Sequence, residues 1–309
     1  MFLPMLLAII AATLFASSNH IDKYLISKAV KHSDYRALIL VSTLISGGIM
    51  SVIYLFVCGF NISFDLVGIL LMLSNAALTV FSLILWFKAL DREDVAVVTI
   101  MLQLIPVFSL FIAPLLLADQ AISPVQLVGS AIIVFAAIYI TYEPSKQRID
   151  MNRAFTLLLM VVASFMFAAQ DVINRYVDQN HDFNRTILWL NLALLVTGII
   201  IYVFIKPYRK SFNTMIKNNG AKVIGLNLAN EVVYSFANTI QIFASTLAPV
   251  ALVSFVTQST IPFIVMLIGV FITKFFPKIE KEKIFKKEII KRAITMLICV
   301  IGLACIGFG

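Results

Sequence analysis

Apolar runs of about twenty residues recur from one end of this 309-residue chain to the other. Each run is long enough to cross the ~30 Å hydrocarbon core of a bilayer as a helix, which rises ~1.5 Å per residue. Only 13% of the residues are charged, compared with about a quarter in a typical soluble domain. Because a helix satisfies its own backbone hydrogen bonds in lipid, the chain is predicted to be an all-α, multi-pass membrane protein.

Ten transmembrane helices are predicted, joined by short connections except for a linker after Tyr142 and a basic stretch from Lys274 to Arg292. The predicted spans are residues 3–22, 36–58, 65–88, 95–117, 124–142, 155–175, 186–206, 222–246, 249–273 and 290–308.

The distribution of basic residues predicts the orientation of these spans. All but two of the 24 Lys and Arg residues fall in odd-numbered connections, the exceptions being Arg175 and Arg185. By the positive-inside rule, the odd connections are cytoplasmic and both termini are extracytoplasmic, in the cell membrane. The net charge of +8 is therefore read as a topology signal, and no nucleic-acid partner is expected.

The two halves of the chain share short sequence motifs. LFASSNHIDKY (Leu14–Tyr24) in the first span resembles MFAAQDVINRY (Met166–Tyr176) in the sixth. QLIPVF in the fourth span likewise matches STIPFI in the ninth. Because five spans per half is an odd number, residues 1–145 and 146–309 are predicted to be two five-helix repeats of opposite orientation. In transporters, such inverted repeats hold the substrate near the membrane midplane.

A further set of motifs lies between Phe87 and Ile140. The motifs are the pair Ala89-Leu90, the triplet Pro106-Val107-Phe108, the turn LADQAIS around Asp119, and Gln126-x-x-Gly129. Together they resemble the EamA signature of the drug/metabolite transporter superfamily. With its second copy, the resemblance covers nearly the whole chain. It implies a transporter of small molecules built from two five-helix repeats.

Three features depart from that family pattern. The turn carries Asp119 where the signature usually has Glu. The second copy lacks both this acid and Gln-x-x-Gly, and carries the basic insertion KFFPKIEKEKIFKKEIIKR instead. Many relatives keep both termini in the cytoplasm, whereas the charges of this chain predict the opposite side.

The eighth span carries a polar stripe within KVIGLNLANEVVYSFANTIQIFAST. Asn227, Glu231, Tyr234, Asn238 and Gln241 recur every three or four residues and therefore share one helix face. An ionised side chain facing lipid costs ~2.5 kcal/mol or more, so the stripe must face protein or a watery cavity. A second interpretation of the amide side chains is that they form hydrogen bonds between packed helices. An acid within the membrane, such as Glu231, instead indicates a functional site.

The other predicted substrate-binding residues lie in five further spans. The full set is Glu231, Asn227, Tyr234, Asn238, Asn75, Asn19, Asp171, Gln258, Gln103 and Trp86. For Asp171 the alternative is an intrahelical ion pair with Arg175, and Asp22 is expected at the solvated membrane surface. Pro106 and Pro262 each remove one backbone hydrogen bond and kink their helix. The kinks are predicted to be gating points, and the alternative is that they only shape the packing of the helices.

These features favour a secondary transporter that moves a small polar or amphipathic metabolite by alternating access. A cationic solute and proton coupling or exchange, through Glu231 assisted by Asp171, are part of this hypothesis. A multidrug exporter is the nearest alternative, and a channel or a scaffold also stays open. An intramembrane enzyme is disfavoured, because the sequence has three His and no HExxH motif.

No cofactor or metal is expected for this function. The three cysteines lack the spacing of metal ligands, and there is no P-loop for ATP hydrolysis. The expected partners are the small-molecule substrate and the lipid bilayer. Because two repeats enclose a cavity within one chain, a monomer suffices.

Overall fold

The computed structural model describes residues 2–29, 35–63, 65–117, 122–143, 148–218, 221–248, 250–275 and 286–308. The turn around Asp119 and most of the basic insertion lie outside these residues. The described helices are α1 (Phe2–Tyr24), α2 (Tyr35–Leu40), α3 (Gly47–Val57), α4 (Leu66–Arg92), α5 (Val95–Met101), α6 (Leu104–Leu116), α7 (Pro124–Tyr139), α8 (Met151–Asn180), α9 (Phe183–Phe204), α10 (Lys206–Asn218), α11 (Ala221–Leu247), α12 (Val250–Phe275) and α13 (Lys286–Phe308).

Short irregular elements complete the described chain. π-helical turns extend α1 over Leu25–Ala29 and join α2 to α3 over Val41–Ser46. Two antiparallel strands of two residues each, β1 (Tyr142–Glu143) and β2 (Arg148–Ile149), lie between α7 and α8.

Eight helical segments of the described chain are long and apolar enough to cross a membrane, which confirms the class of helical membrane protein. They are Phe2–Ser27, Tyr35–Val57, Leu66–Arg92, Val95–Leu116, Met151–Asn180, Phe183–Phe204, Leu252–Phe275 and Ile289–Gly307. The predicted fifth span is α7, whose 16 residues reach only ~24 Å at ~1.5 Å per residue. The predicted eighth span is α11, which has 27 residues but a more polar sequence. The count of ten spans therefore stays a prediction.

The most extensive helix contacts join the first half of the chain to the second. Helix α4 packs on α8 and α9, α1 packs on α11 and α12, and α7 packs on α13. Helices α6 and α3 likewise pack on α8 and α9, respectively. The two halves are thus interleaved around a common interior.

Polar residues at the helix starts explain several of the helix boundaries. Asp65 accepts a hydrogen bond from the Gly68 backbone N–H at 3.2 Å and caps α4. Asp150 caps α8 in the same way, and Asp182 caps α9. Such side chains satisfy N–H groups that lack a partner within the helix.

Helix α10 was not predicted, because its 13 residues form a basic amphipathic segment rather than an apolar run. The prediction placed Lys206, Arg209, Lys210 and Lys217 in a connection between spans. In the structure this connection is helical, and α10 packs on α2 and α9 with Met215 buried.

Several basic residues that we read as topology signals are buried at helix ends. Arg153 pairs with Glu93 at 3.4 Å, and Arg292 pairs with Asp94 at 2.5 Å. Lys291 donates to backbone carbonyls just beyond α7. Because removal of one partner leaves an unpaired buried charge, these residues also hold the helix ends together.

The Gln126-x-x-Gly129 motif has a packing role between α7 and α13. Ser123 and Gln126 form a capping box at the start of α7, and the Gln126 side-chain amide donates to the Ile306 carbonyl at 3.2 Å. A Cβ atom at Gly129 would lie 2.5 Å from the Gly302 carbonyl oxygen. The missing side chain therefore allows the two helices to approach closely.

Replacement of Gly129 by Ala is expected to destabilise the protein by about 1–3 kcal/mol, because the new methyl group overlaps the α13 backbone. The measurement is the thermal unfolding midpoint of the purified protein in detergent. Gly225→Ala is the matched control, since nothing lies within 4 Å of its added Cβ. That variant is expected to unfold at the wild-type temperature or slightly above it. Equal midpoints for the two variants would contradict the packing role.

Candidate functional site

A cavity of about 150 Å³ lies in the middle of the helix bundle. Helices α1, α4, α6, α8, α9, α11 and α12 line it, together with the π-helical turn before α3 and the break between α5 and α6. Both halves of the chain therefore contribute to its wall. Eight of the ten predicted binding residues line the cavity: Asn19, Asn75, Trp86, Asp171, Glu231, Tyr234, Asn238 and Gln258.

Asp22 lines this cavity and is only 9% exposed, so the expectation of a solvated surface position was wrong. Its carboxylate accepts hydrogen bonds from Trp86 Nε1 at 3.1 Å and from Asn230 Nδ2 at 2.7 Å. The reason is that helical structure continues beyond α1 through Ala29, which keeps Asp22 inside the bundle.

Glu231 lies in the wall formed by α11 and is also buried. Ser42 Oγ donates to Glu231 Oε1 at 2.5 Å. One turn further along both segments, the hydroxyls of Ser46 and Ser235 are 2.5 Å apart. Two serines spaced by four residues therefore match the Glu231/Ser235 pair on the facing helix.

Asp171 in α8 faces the cavity and does not form the predicted pair with Arg175. The Arg175 guanidinium instead pairs with Asp178 at 3.7 Å. Positions i and i+3 also share a helix face, so the sequence alone offered Arg175 two partners. This alternative interpretation of Asp171 is corrected by the structure.

Asn75 belongs to a hydrogen-bond network between α4 and α8. Asn75 Nδ2 donates to Asn174 Oδ1 at 2.8 Å and to the Gln170 carbonyl at 3.2 Å. Thr79 Oγ1 donates to Gln170 Oε1 at 2.7 Å, and Gln170 Nε2 donates to Ser82 Oγ at 3.3 Å. These amides hold helices of the two halves together and also line the cavity.

Gln103 lies outside the cavity wall and bonds to α12 instead. Its side-chain Nε2 donates to the Gln258 carbonyl oxygen at 2.6 Å. Pro262, four residues after Gln258 and inside α12, has no N–H to offer that carbonyl. The Gln103 amide therefore takes the place of the missing backbone donor.

Pro106 lies just after an interruption in the fourth predicted span. Helix α5 ends at Met101, and α6 begins at Leu104. The Leu102 carbonyl, four residues before Pro106, accepts from the Ile105 N–H at 2.9 Å instead. The proline thus coincides with a tighter turn, whereas α12 continues through Pro262.

Tyr234 lies among the acidic residues of the cavity. Its ring packs edge-on against Phe15, with the ring centroids 5.4 Å apart. It lines the same cavity as Glu231, Asp22 and Asp171. The described lining residues include these three acids and no Lys, Arg or His, so the cavity has an acidic wall.

Asn227 is the member of the predicted stripe on α11 that does not reach the cavity. It is buried one turn before Glu231. Asn230, Ser235 and Thr239 line the cavity although they lie off the predicted stripe. The cavity faces a wider arc of α11 than one row of residues.

Sequence reasoning also missed Ser42 and Ser46, which lie in the turn before α3. The available signal was two small hydroxyl residues at a helical spacing of four within an apolar span. No comparable signal marked Asn230, because its role depends on the position of Asp22 in another helix.

Comparisons with known proteins agree with this architecture. Residues 2–142 match the model of the EamA-like transporter family. The match covers slightly less than half of the chain. The predicted resemblance to the EamA signature of the drug/metabolite transporter superfamily is confirmed over these residues. The family points to a transporter rather than to an enzyme.

A protein of known crystal structure resembles this chain over nearly its whole length. The similarity covers 99% of this chain and 97% of that protein, with a TM-score of 0.63 and 11% sequence identity. At this identity the similarity concerns the fold alone. A comparison with curated protein sequences finds no match.

Replacement of Gln103 by Met is expected to destabilise the protein by about 1–3 kcal/mol, because the buried Gln258 carbonyl loses its donor. In a Pro262→Ala background the loss should be smaller, since the restored backbone N–H can bond to that carbonyl. The thermal unfolding midpoints of the two single variants and the double variant measure this coupling. Strictly additive changes would contradict the assignment of Gln103.

Proposed function

We propose that this protein is a secondary transporter that moves a small polar or amphipathic metabolite, with cationic solutes as the favoured class. The observation that carries this proposal is the central cavity, which both halves of the chain line with three carboxylates and, among the described residues, no basic side chain. In a medium of low dielectric, such a wall attracts a cation and repels an anion.

The size of the cavity favours a metabolite over the alternative of a multidrug exporter. Its volume of about 150 Å³ is below the ~300 Å³ at which pockets for drug-sized ligands begin. The rings of Phe15, Phe87 and Phe167 also line the space, and they favour the amphipathic compounds of the alternative. The number of unrelated compounds that the protein transports distinguishes the two functions, because a multidrug exporter accepts many and a metabolite transporter accepts few.

The transport cycle that we propose is alternating access between two inverted five-helix repeats, residues 1–145 and 146–309, forming ten spans. In support, the two predicted spans that are missing from the eight long apolar segments are also helical. The fifth predicted span is the shorter helix α7, and the eighth is the more polar helix α11. The contacts between the two halves also support this cycle, because both halves contribute residues to the cavity wall. One chain then suffices for transport.

Pro106 and Pro262 are the proposed gating points of this cycle. Each lies close to a cavity-lining residue whose carbonyl it leaves without the usual helical donor, Leu102 and Gln258, respectively. A helix is easier to bend where its hydrogen-bond ladder is interrupted.

Glu231, assisted by Asp171, is the proposed group for binding the cationic solute or exchanging a proton with it.

Replacement of Glu231 by Gln is expected to reduce saturable counterflow of a cationic solute by about tenfold or more, because a charge pair in the cavity is lost. The assay uses proteoliposomes and a panel of choline, butylamine, amino acids, nucleosides and sugars. Asp91→Asn is the matched control, since it removes an exposed carboxylate outside the cavity wall. Unchanged flux in Glu231→Gln would remove this residue from the mechanism, and flux without saturation would indicate a channel.

Fusions of alkaline phosphatase and green fluorescent protein test the proposed orientation. At either terminus we expect active phosphatase and no fluorescence, because both ends are proposed to be extracytoplasmic. A fusion after Asn218 at the end of α10 should give the opposite pattern. Termini on different sides of the membrane would rule out an even number of spans.

A further inference from the structure

We propose, on the basis of the function above, that the transported solute is a dication with two amine groups, one bound at Asp22 and the other at Glu231. The two acids contribute from different halves of the chain, Asp22 from α1 and Glu231 from α11. Both line the same cavity, and Asn230, which donates to Asp22, is the sequence neighbour of Glu231.

The Asp22 end of the cavity has hydrogen-bond acceptors without donors. Asn230 donates to Asp22 through Nδ2, which leaves its Oδ1 beside the carboxylate with no hydrogen-bond partner in the described chain. Ser18, one helical turn before Asp22, also has an unpartnered hydroxyl oxygen. Both side chains belong to the cavity wall, in which these two oxygen atoms are themselves buried.

These three side chains match the chemistry of a primary ammonium group. An ammonium has three N–H donors and no acceptor, and the carboxylate, the amide oxygen and the hydroxyl would each accept one hydrogen bond from it. A buried acceptor without a donor costs free energy, so the empty site is poorer in hydrogen bonds than the occupied one. Gln258 Oε1 is a further unpartnered acceptor in the same wall.

The Glu231 end is a separate carboxylate with its own support. Ser42 donates to Oε1, and among the described residues Oε2 accepts no hydrogen bond. Asn230 and Glu231 are neighbours in sequence but point to different partners, because adjacent residues on a helix are turned by ~100°. The two acids therefore offer two points of attachment rather than one shared site.

The charge of the wall excludes other classes of solute. An amino acid or another zwitterion would place its carboxylate against acidic residues, with no described Lys, Arg or His in the lining to receive it. No group of three His, Cys, Asp or Glu among the described residues is placed to hold a metal ion. A diamine neutralises both carboxylates, which would otherwise repel each other at low dielectric.

The test compares binding of putrescine with that of butylamine, which has the same carbon chain but one amine. Isothermal titration of the purified full-length protein should give at least about tenfold tighter binding of putrescine. Glu231→Gln and Asp22→Asn should each bring this ratio close to one. Asp91→Asn, the matched control, removes an exposed carboxylate outside the cavity wall and should preserve the ratio.

A second variant keeps the proposal testable if Asp22→Asn does not fold. Ser18→Ala removes a hydroxyl that makes no hydrogen bond in the described chain, and it should weaken putrescine binding several-fold. Equal affinity for the two amines in the wild type would overturn the proposal. So would loss of the preference in Asp171→Asn with its retention in Asp22→Asn.

The outcome for the dication is distinguishable from the outcome for transport. Saturable counterflow of butylamine or choline without a preference for putrescine would support the transporter function and reject the proposal of a dication substrate. Absence of saturable flux for every member of the panel, putrescine included, would reject both.

Discussion

Polar side chains in the middle of a membrane have no bulk water, so they must find partners within the protein or line a space that admits them. Much of this bundle follows from that constraint. The Asn75 amide bonds across to α8, and the Gln103 amide supplies the donor that Pro262 withholds. Each of these bonds joins the first half of the chain to the second, so the same interactions that satisfy polar atoms also hold the halves together.

In the wall of the cavity, some polar atoms have no hydrogen-bond partner within the described chain. Ser18 and Asn230 retain unpartnered oxygen atoms beside Asp22, whereas the amide donors on the α4–α8 interface are used. A wall that has spare acceptors and negative charge is suited to a ligand that brings donors and positive charge. The distinction between polar residues that bind helices and those that can bind a solute therefore depends on their partners, not on their residue types.

Family motifs and charge patterns carry structural information beyond their use as signatures. The Gln126-x-x-Gly129 motif caps α7 and allows its close approach to α13. Arg153 and Arg292 contribute to the charge bias of the connections, yet both are buried in ion pairs at helix ends. Recognition of the family thus rests partly on residues that stabilise the fold, and these residues say little about the solute.

The sequence by itself determined the properties that depend on neighbouring positions. Apolar runs predicted a helical membrane protein, and the spacing of Glu231, Tyr234 and Asn238 placed them on one face of α11, which lines the cavity. Only the tertiary structure decided that Asp22 is buried and that Asn230 and Ser42 join the acids of the cavity. Helical periodicity relates residues that are three or four positions apart. The Ser42–Glu231 contact joins residues 189 positions apart, and the Asn230–Asp22 contact joins residues 208 positions apart. Only the packing of the helices brings such residues together.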